Sequence, residues 1–241
     1  MILRTLFTAR EIEATVHRLA DEITRDQLGL PPAPVARGSG ESSTGTRRKP
    51  KTSRRRAAPG GRSAEPQRSV AAEAMAAGHM PFGALGLKSG FRTELAPTLS
   101  AERPVLVGLL KGTYVFMADL TRAMPIPVDI DFMRVRVRLG GQVEPLAAQF
   151  DYEPQQSLEG RSVIIVEDVA GAGRTLPLVL ARLQAHLPRS IRVCALVKRR
   201  GYSGPPLDYV GFEVGPGWIV GYGMDDREAL RHLPGLCVLE D

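Results

Sequence analysis

The chain has 241 residues, enough for one large domain or two small ones. Aromatic residues make up only 5% of it, so we expect a mostly aliphatic core. The two cysteines, Cys194 and Cys237, exclude a disulfide framework and a cysteine metal cluster, and they favour free thiols in a reducing compartment. No apolar run approaches the roughly 18 residues that span a membrane, so no membrane partner is expected.

The net charge of +6 is unevenly distributed. Residues 37–68 contain ten Lys or Arg against two Glu, a balance of +8, which leaves −2 for the remaining chain. A basic segment of this kind is a candidate for binding phosphate backbones, although it lacks interleaved aromatic residues and a solvated linker is the simpler alternative.

The N-terminal segment is expected to form a helix. Thr8 and Glu11 have the spacing of a capping box, and apolar residues recur at helical spacing from Ile12 to about Asp26. The first ten residues contain two Arg and no acid, which is faintly typical of a transit peptide, but acidic residues follow from Glu11 onward. We therefore expect a cytoplasmic protein, with organellar import left open.

Residues 29–102 differ in composition from the rest of the chain. From 29 to about 67 the sequence is rich in Pro, Gly, Ser and Arg, with too few large apolar residues to offset the entropy of ordering. We predict a disordered basic insertion that separates an N-terminal helical part, residues 1–28, from a main domain at residues 103–241.

From residue 104 the pattern alternates between strands and helices. Strands are predicted at 105–110, 128–137, 162–166, 191–197, 209–214 and 218–222, and helices at 114–123 and 175–187. This alternation predicts an α/β domain with a parallel sheet, whose ligand site lies beyond the carboxyl ends of the strands.

The most informative motif is the run SVIIVEDVAGAGRT at residues 162–175. An apolar strand ends in Glu167 and Asp168, and a Gly-rich turn then leads to Thr175 at the start of a helix. Backbone N–H groups in such a turn bind phosphate, and the two carboxylates can hold sugar hydroxyls or a divalent metal.

Three further motifs follow strand ends at the same edge. The first is LLKGTY, which carries Lys111 and Gly112 into a helix, and the second is CALVKR, which delivers Lys198. The third is GPGWIVGYGMDD, in which Trp218 can stack on a planar ring and Asp225 can bind a hydrated metal, with Arg231 following as a phosphate ligand.

These four motifs, in this order, resemble the hypoxanthine-guanine phosphoribosyltransferase family over about residues 1–28 and 103–241. The resemblance implies a type I phosphoribosyltransferase fold, a twisted parallel sheet flanked by helices with a small hood region. It also implies that a purine base displaces pyrophosphate from phosphoribosyl pyrophosphate with Mg²⁺, in a homo-oligomer.

The resemblance also implies a role for each matching residue. The base would be bound by Lys198, Trp218 and the Ile219 backbone, and the ribose hydroxyls or their metal by Glu167 and Asp168. The 5′-phosphate would be bound by Ala172, Gly173, Arg174 and Thr175. The pyrophosphate and Mg²⁺ would be bound by Lys111, Gly112, Asp225 and Arg231.

Two positions depart from the family pattern. Gly171 occupies the place of an aspartate that accepts a proton from the purine's imidazole ring, and a positioned general base contributes about 10²–10⁴ in rate. The Ser-Tyr pair of a mobile closing loop is replaced by Val137 and Arg138. In the same stretch Arg134, Arg136 and Arg138 lie on one face of an extended strand, which is either solvated or a new anion-binding surface.

Three functions remain open at this point. The chain is a purine phosphoribosyltransferase weakened by Gly171, a pseudoenzyme that senses nucleotides or serves as a subunit of an assembly, or a nucleic-acid-associated protein that uses residues 37–68. Both departures affect turnover, whereas the nucleotide-binding positions are retained. We therefore expect binding of IMP or GMP with weak catalysis.

Overall fold

The computed structural model of the protein describes residues 2–32, 103–138 and 147–240, all within one compact unit. Strands and helices alternate from β2 onward, as the sequence predicts. In chain order the elements are β1 (Ile2–Phe7), α1 (Ala9–Gln27), β2 (Val105–Leu109), α2 (Tyr114–Ala123), β3 (Asp129–Arg138), β4 (Ala147–Tyr152), β5 (Ser162–Ala170), α3 (Thr175–Gln184), β6 (Ser190–Arg199), β7 (Tyr209–Val214), β8 (Trp218–Val220) and β9 (Leu236–Glu240).

The larger sheet in this part of the chain has six strands in the order β4-β3-β2-β5-β6-β7. All neighbours pair in parallel except β3 and β4, which are antiparallel at one edge. The chain adds β3 and β4 on one side of β2, and β6 and β7 on the far side of β5, so the junction of β2 and β5 is the switch point of the sheet. Ligands bind beyond the carboxyl ends of the strands at such a point. The predicted parallel sheet with flanking helices is confirmed.

The helices cover both faces of this sheet because its central strands are apolar on both sides. On β5, Ile164 and Val166 face a core built with α1 and α2, whereas Val163 and Ile165 face a core built with α3. The alternation of side chains along a strand divides the residues between the two cores.

The N-terminal helix α1 begins as its capping box predicts. The Glu11 backbone N–H donates to the Thr8 hydroxyl at 3.3 Å, and the Thr8 N–H donates to the Glu11 carboxylate at 2.8 Å. The Thr8 N–H and the Thr8 hydroxyl both donate to the Glu11 carboxylate, and these two bonds hold the pKa of Glu11 below its usual value. The predicted apolar residues of α1 are buried: Ile12, Val16, Leu19, Ala20 and Ile23.

A second sheet joins the two ends of the described chain. Its strand order is β1-β9-β8, with antiparallel pairing throughout, and it corresponds to the expected small hood region. Strand β8 contains Trp218 and Ile219, two of the residues assigned to the base. The first strand of this sheet was not predicted: residues 2–7 form β1, so the N-terminal part is not helical throughout.

Other predictions concern residues outside the described ranges. The proposed insertion at 29–102, with its basic segment at 37–68, lies almost entirely outside them, since only residues 29–32 are described. Within the described residues, no helix is long and apolar enough to cross a membrane. Cys194 and Cys237 are free thiols, as predicted.

Candidate functional site

Two cavities open at the carboxyl edge of the six-stranded sheet, and they share Val169 and Gly171 in their walls. The larger has a volume of about 550 Å³ and the smaller about 500 Å³. Of the sequence-predicted residues, the larger is lined by Lys111, Gly112, Asp168, Gly171, Trp218, Ile219, Asp225 and Arg231, and the smaller by Glu167, Gly171, Ala172, Gly173, Arg174 and Thr175. A ligand that spans both cavities must pass Gly171.

The turn between β2 and α2 is held by close backbone contacts. The Leu110–Lys111 peptide bond is cis. A Cβ on Gly112 would collide with the Asp168 carboxylate, and one on Gly223 with the Gly112 carbonyl. Gly112 is therefore required because the carboxylate packs directly against the turn.

An ion-pair cluster connects this turn to the loop after β8. The Lys111 ammonium lies 2.7 Å from the Glu228 carboxylate, and Arg231 contacts both Glu228 at 3.0 Å and Asp225 at 2.7 Å. The Arg231 Nε is buried without a hydrogen-bond partner among the described residues. Lys111 and Arg231 thus face the same cavity, and the carboxylates of Asp225 and Glu228 balance their charges.

The two carboxylates at the end of β5 are partly buried. Burial and the adjacent Asp168 charge raise the pKa of Glu167 well above its usual range. Burial also raises the pKa of Asp168, against the opposing effects of the Val169 N–H, at 2.7 Å, and of Arg231. A cation bound here would relieve the cost of burying both charges.

Mg²⁺ fits this donor set only in part. In the ranges the structure covers, no group of three His, Cys, Asp or Glu side chains could hold a metal. Mg²⁺ commonly binds through one or two carboxylates together with substrate phosphates and water. Glu167, Asp168 and Asp225 suit that mode, in which the ion enters with a diphosphate.

The Gly-rich turn between β5 and α3 supplies backbone groups. Its N-cap residue, Arg174, makes no side-chain capping hydrogen bond at the start of α3. Gly173 has φ +71°, and a Cβ there would lie 2.5 Å from the Gly204 backbone, so a second loop packs directly on the turn. In that loop Tyr202 lines the smaller cavity, and its hydroxyl donates to the Pro205 carbonyl at 2.7 Å.

Gly171 leaves open space at the junction of the cavities. No atom lies within 4 Å of a Cβ built there, and its backbone is not in the left-handed region. The structure therefore has room for a side chain at this position, and glycine leaves the junction without a proton acceptor.

The other end of the larger cavity is formed by β6 and β8. The Trp218 side chain is 59% exposed, which leaves a ring face free for stacking, and its Nε1–H donates to the Asp225 carbonyl at 2.9 Å. The Lys198 ammonium is 3.2 Å from the Glu213 carboxylate, and this lysine lines neither cavity. The next residue, Arg199, lines the larger cavity instead.

The arginines of β3 also reach this cavity. Arg134 and Arg136 both line it, and both pair with Asp151 on β4, at 3.7 Å and 2.7 Å. Asp151 raises the pKa of Arg136, mainly through their hydrogen bond. Of the arginine face predicted on this strand, Arg134 and Arg136 are therefore partly neutralised by Asp151, and the Arg138 side chain lies outside the described residues.

Most of the predicted residues are brought together, and Lys198 is the exception. Sequence reasoning missed Arg199, Glu228 and Tyr202. For Arg199 a signal was available, since successive residues of a strand point to opposite faces and either Lys198 or Arg199 had to face the site. For Glu228 and Tyr202 the sequence offers no comparable signal, because both lie in irregular loops.

Comparison with known proteins places this site in context. The family described as the phosphoribosyl transferase domain matches residues 93–227. Hypoxanthine phosphoribosyltransferase of Salmonella typhimurium is 36% identical over 146 residues, covering 59% of this chain and 82% of the relative. Hypoxanthine-guanine phosphoribosyltransferase of Mycobacterium avium is 34% identical over 158 residues, covering 65% of this chain and 78% of the relative.

Solved structures agree on the fold. The hypoxanthine-guanine phosphoribosyltransferase of Bacillus anthracis superposes with a TM-score of 0.62 at 22% identity, covering 98% of each chain. The Trypanosoma cruzi hypoxanthine phosphoribosyltransferase in complex with the product IMP gives a TM-score of 0.62 at 21% identity, covering 98% of this chain and 93% of that one. On the family match and the sequence identities, the chain belongs to the phosphoribosyltransferases, among the relatives of hypoxanthine-guanine phosphoribosyltransferase.

Proposed function

We propose that the chain is a purine phosphoribosyltransferase that binds phosphoribosyl pyrophosphate and a purine base, and whose turnover of ordinary 6-oxopurines is slowed by Gly171. The observation that carries this proposal is the pair of cavities that meet at Gly171. The smaller cavity is bounded by the Gly-rich turn after β5, and the larger by Lys111, Arg231 and the exposed indole of Trp218. A nucleotide and a diphosphate need these groups in this arrangement.

The residues have distinct roles in the proposed transfer. Backbone N–H groups of the turn at 171–174 and the start of α3 bind the 5′-phosphate. Lys111 and Arg231 bind the diphosphate, and they stabilise the negative charge that it carries away when the bond to the ribose breaks. Trp218 stacks on the base and orients its ring nitrogen toward the sugar.

Mg²⁺ would be held by one or two of the carboxylates Glu167, Asp168 and Asp225, together with the substrate's phosphates. When bound, it neutralises charge on the diphosphate and on the buried carboxylates. Asp168 packs against Gly112, so the carboxylate and the diphosphate-binding turn are positioned by the same contact.

The missing proton acceptor limits the rate. A neutral purine must lose a ring proton when its other imidazole nitrogen bonds to the ribose, and Gly171 offers no group to accept it. We expect turnover of hypoxanthine or guanine to be about 10²-fold or more below that of Gly171→Asp.

A spectrophotometric assay of IMP or GMP formation tests the proposal on the full chain, with phosphoribosyl pyrophosphate and Mg²⁺. Gly171→Asn is the matched control, because it fills the same open space without a carboxylate. Rescue by the aspartate alone supports the assignment. Equal turnover by the wild type and Gly171→Asp would contradict it. Calorimetric binding of GMP without any turnover, even in Gly171→Asp, would favour a nucleotide-sensing pseudoenzyme.

A further inference from the structure

Arg199 is the one cation of the larger cavity that lacks a carboxylate partner among the residues the structure describes. Its Nη1–H donates to the Gly215 carbonyl at 3.1 Å, and burial lowers the pKa of its guanidinium. The other cations of this cavity all have acidic partners: Lys111 with Glu228, Arg231 with Asp225 and Glu228, and Arg134 and Arg136 with Asp151. Among the described residues, Arg199 is therefore the cation of this cavity that forms no ion pair, and arginine remains charged even when it is buried.

The Arg199 charge lies at the same sheet edge as Gly171, the position that lacks a proton acceptor. Ala170 pairs with Lys198 in the parallel ladder of β5 and β6, so Gly171 and Arg199 are the next positions along neighbouring strands. Both line the larger cavity together with Trp218. The hydrogen bond to Gly215 fixes the guanidinium beside the loop that leads into Trp218. The unpaired charge thus belongs to the end of the cavity where a base would stack.

The carboxylates of this cavity are engaged elsewhere. Asp168 accepts from the Val169 N–H, and Asp225 and Glu228 pair with Arg231 or Lys111. At the base end the described residues therefore provide a cation and no general base. An environment of this kind favours a negatively charged ligand and does not assist the removal of a proton.

We infer that the site takes its heterocycle as an anion and that Arg199 is the specificity-determining residue that selects the anion. This inference rests on the proposed transferase function. The substrate class is a purine-like heterocycle whose five-membered ring loses its proton near neutral pH. The ring nitrogen of the anion forms the bond to the ribose, and the bond from the ribose to the diphosphate breaks with its electron pair on the pyrophosphate. No proton is released, so no acceptor is needed at Gly171.

Hypoxanthine and 8-azahypoxanthine form the matched probe pair. They share ring size and the exocyclic oxygen, but the triazole ring of the aza analogue gives up its proton more readily. We expect kcat/KM of the wild type to be at least about a hundredfold higher for 8-azahypoxanthine, the order of magnitude of a general-base contribution. A ratio near one in the wild type would overturn the inference.

Two variants assign the preference to Arg199. Arg199→Gln should reduce the ratio by at least about tenfold, because the anion loses its charged hydrogen-bond donor. Arg200→Gln is the control: Arg200 is the exposed next residue and lines neither cavity, so the ratio should stay unchanged. An unchanged ratio in Arg199→Gln, or an equal fall in both variants, would overturn the role of Arg199.

Gly171→Asp separates this inference from the proposed function. With a proton acceptor restored, neutral hypoxanthine should gain rate and the ratio should fall toward one. If no variant turns over either base, the proposed function fails, and calorimetric titration of both bases in the presence of Mg²⁺ and pyrophosphate then decides the inference. Tighter binding of 8-azahypoxanthine that is lost in Arg199→Gln supports it, and equal binding of the two bases contradicts it.

Discussion

At the residue scale, Glu228 occupies the position that a diphosphate would take in the proposed reaction. Its carboxylate contacts both Lys111 and Arg231, the two cations assigned to the diphosphate. These cations hold the pKa of Glu228 below its usual value. The Glu228 side chain is 64% exposed, so solvent screens both ion pairs and a diphosphate can displace the carboxylate.

Glu228→Gln should therefore tighten the binding of pyrophosphate. Removing the internal competitor without changing its size frees both cations, and we expect an affinity about two- to tenfold higher. Calorimetric titration with pyrophosphate, with and without Mg²⁺, measures the change. Glu159→Gln, at an exposed position on the turn before β5, is the control. Weaker binding in Glu228→Gln would mean that the carboxylate positions the two cations and does not compete for them.

Lys198 and Arg199 mark how far residue roles can be predicted from the sequence. Both lie at the end of β6, directly after a run of residues that is buried on both faces of the sheet, so the hydrophobic pattern does not distinguish the face toward the ligand. The structure pairs Lys198 with Glu213 of β7 and leaves Arg199 in the cavity. The distinction depends on the acidic residue of the neighbouring strand, which is set by the sheet order and not by the local sequence.

At the scale of elements, the Gly-rich turn between β5 and α3 could be predicted from the sequence, whereas the loop that packs on it could not. A strand, two carboxylates, a Gly-rich turn and a helix follow one another along the chain, and the structure has them at Ser162–Ala170 and Thr175–Gln184. The loop that packs on the turn lies about 30 residues later, and nothing in its own composition reveals that contact. The edge strands β1 and β4 were also missed. In β1 the apolar residues stand in adjacent pairs and do not alternate with polar ones, and four of its six residues are exposed.

The contact between this loop and the turn gives a prediction for Gly173→Ala. The new Cβ would lie 2.5 Å from the Gly204 backbone, in addition to the strain of a positive φ. Gly160→Ala is a matched control, since Gly160 has a similar φ of +68° but open space around its Cβ. Strain alone costs about 1–2 kcal/mol, and overpacking adds about 1–3 kcal/mol.

We therefore expect Gly173→Ala to lose at least about 1 kcal/mol more free energy of unfolding than Gly160→Ala, measured by denaturant titration. Because the turn is assigned to the 5′-phosphate, GMP binding should weaken in Gly173→Ala and stay unchanged in Gly160→Ala. Equal losses of stability would show that the loop moves away without cost, and that it does not support the turn.

At the scale of the whole molecule, the domain and the basic segment are separate in sequence. Every residue that lines the two cavities lies between 110 and 231, and the family match begins at residue 93. The segment 37–68 carries +8, and the rest of the chain carries −2. We therefore assign any polyanion binding to the segment and the proposed transfer to the domain.

Deletion of residues 37–68 should separate the two properties. We expect kcat/KM with phosphoribosyl pyrophosphate to change by less than about twofold, because no cavity-lining residue is removed. Any association of the full chain with RNA or DNA should weaken steeply as salt rises, and it should disappear in the deletion variant, because counterion release scales with the number of cations that contact phosphates. A deletion variant that retains salt-dependent RNA binding would place that binding on the domain, where Arg199, Arg134 and Arg136 supply the remaining basic surface of the cavity.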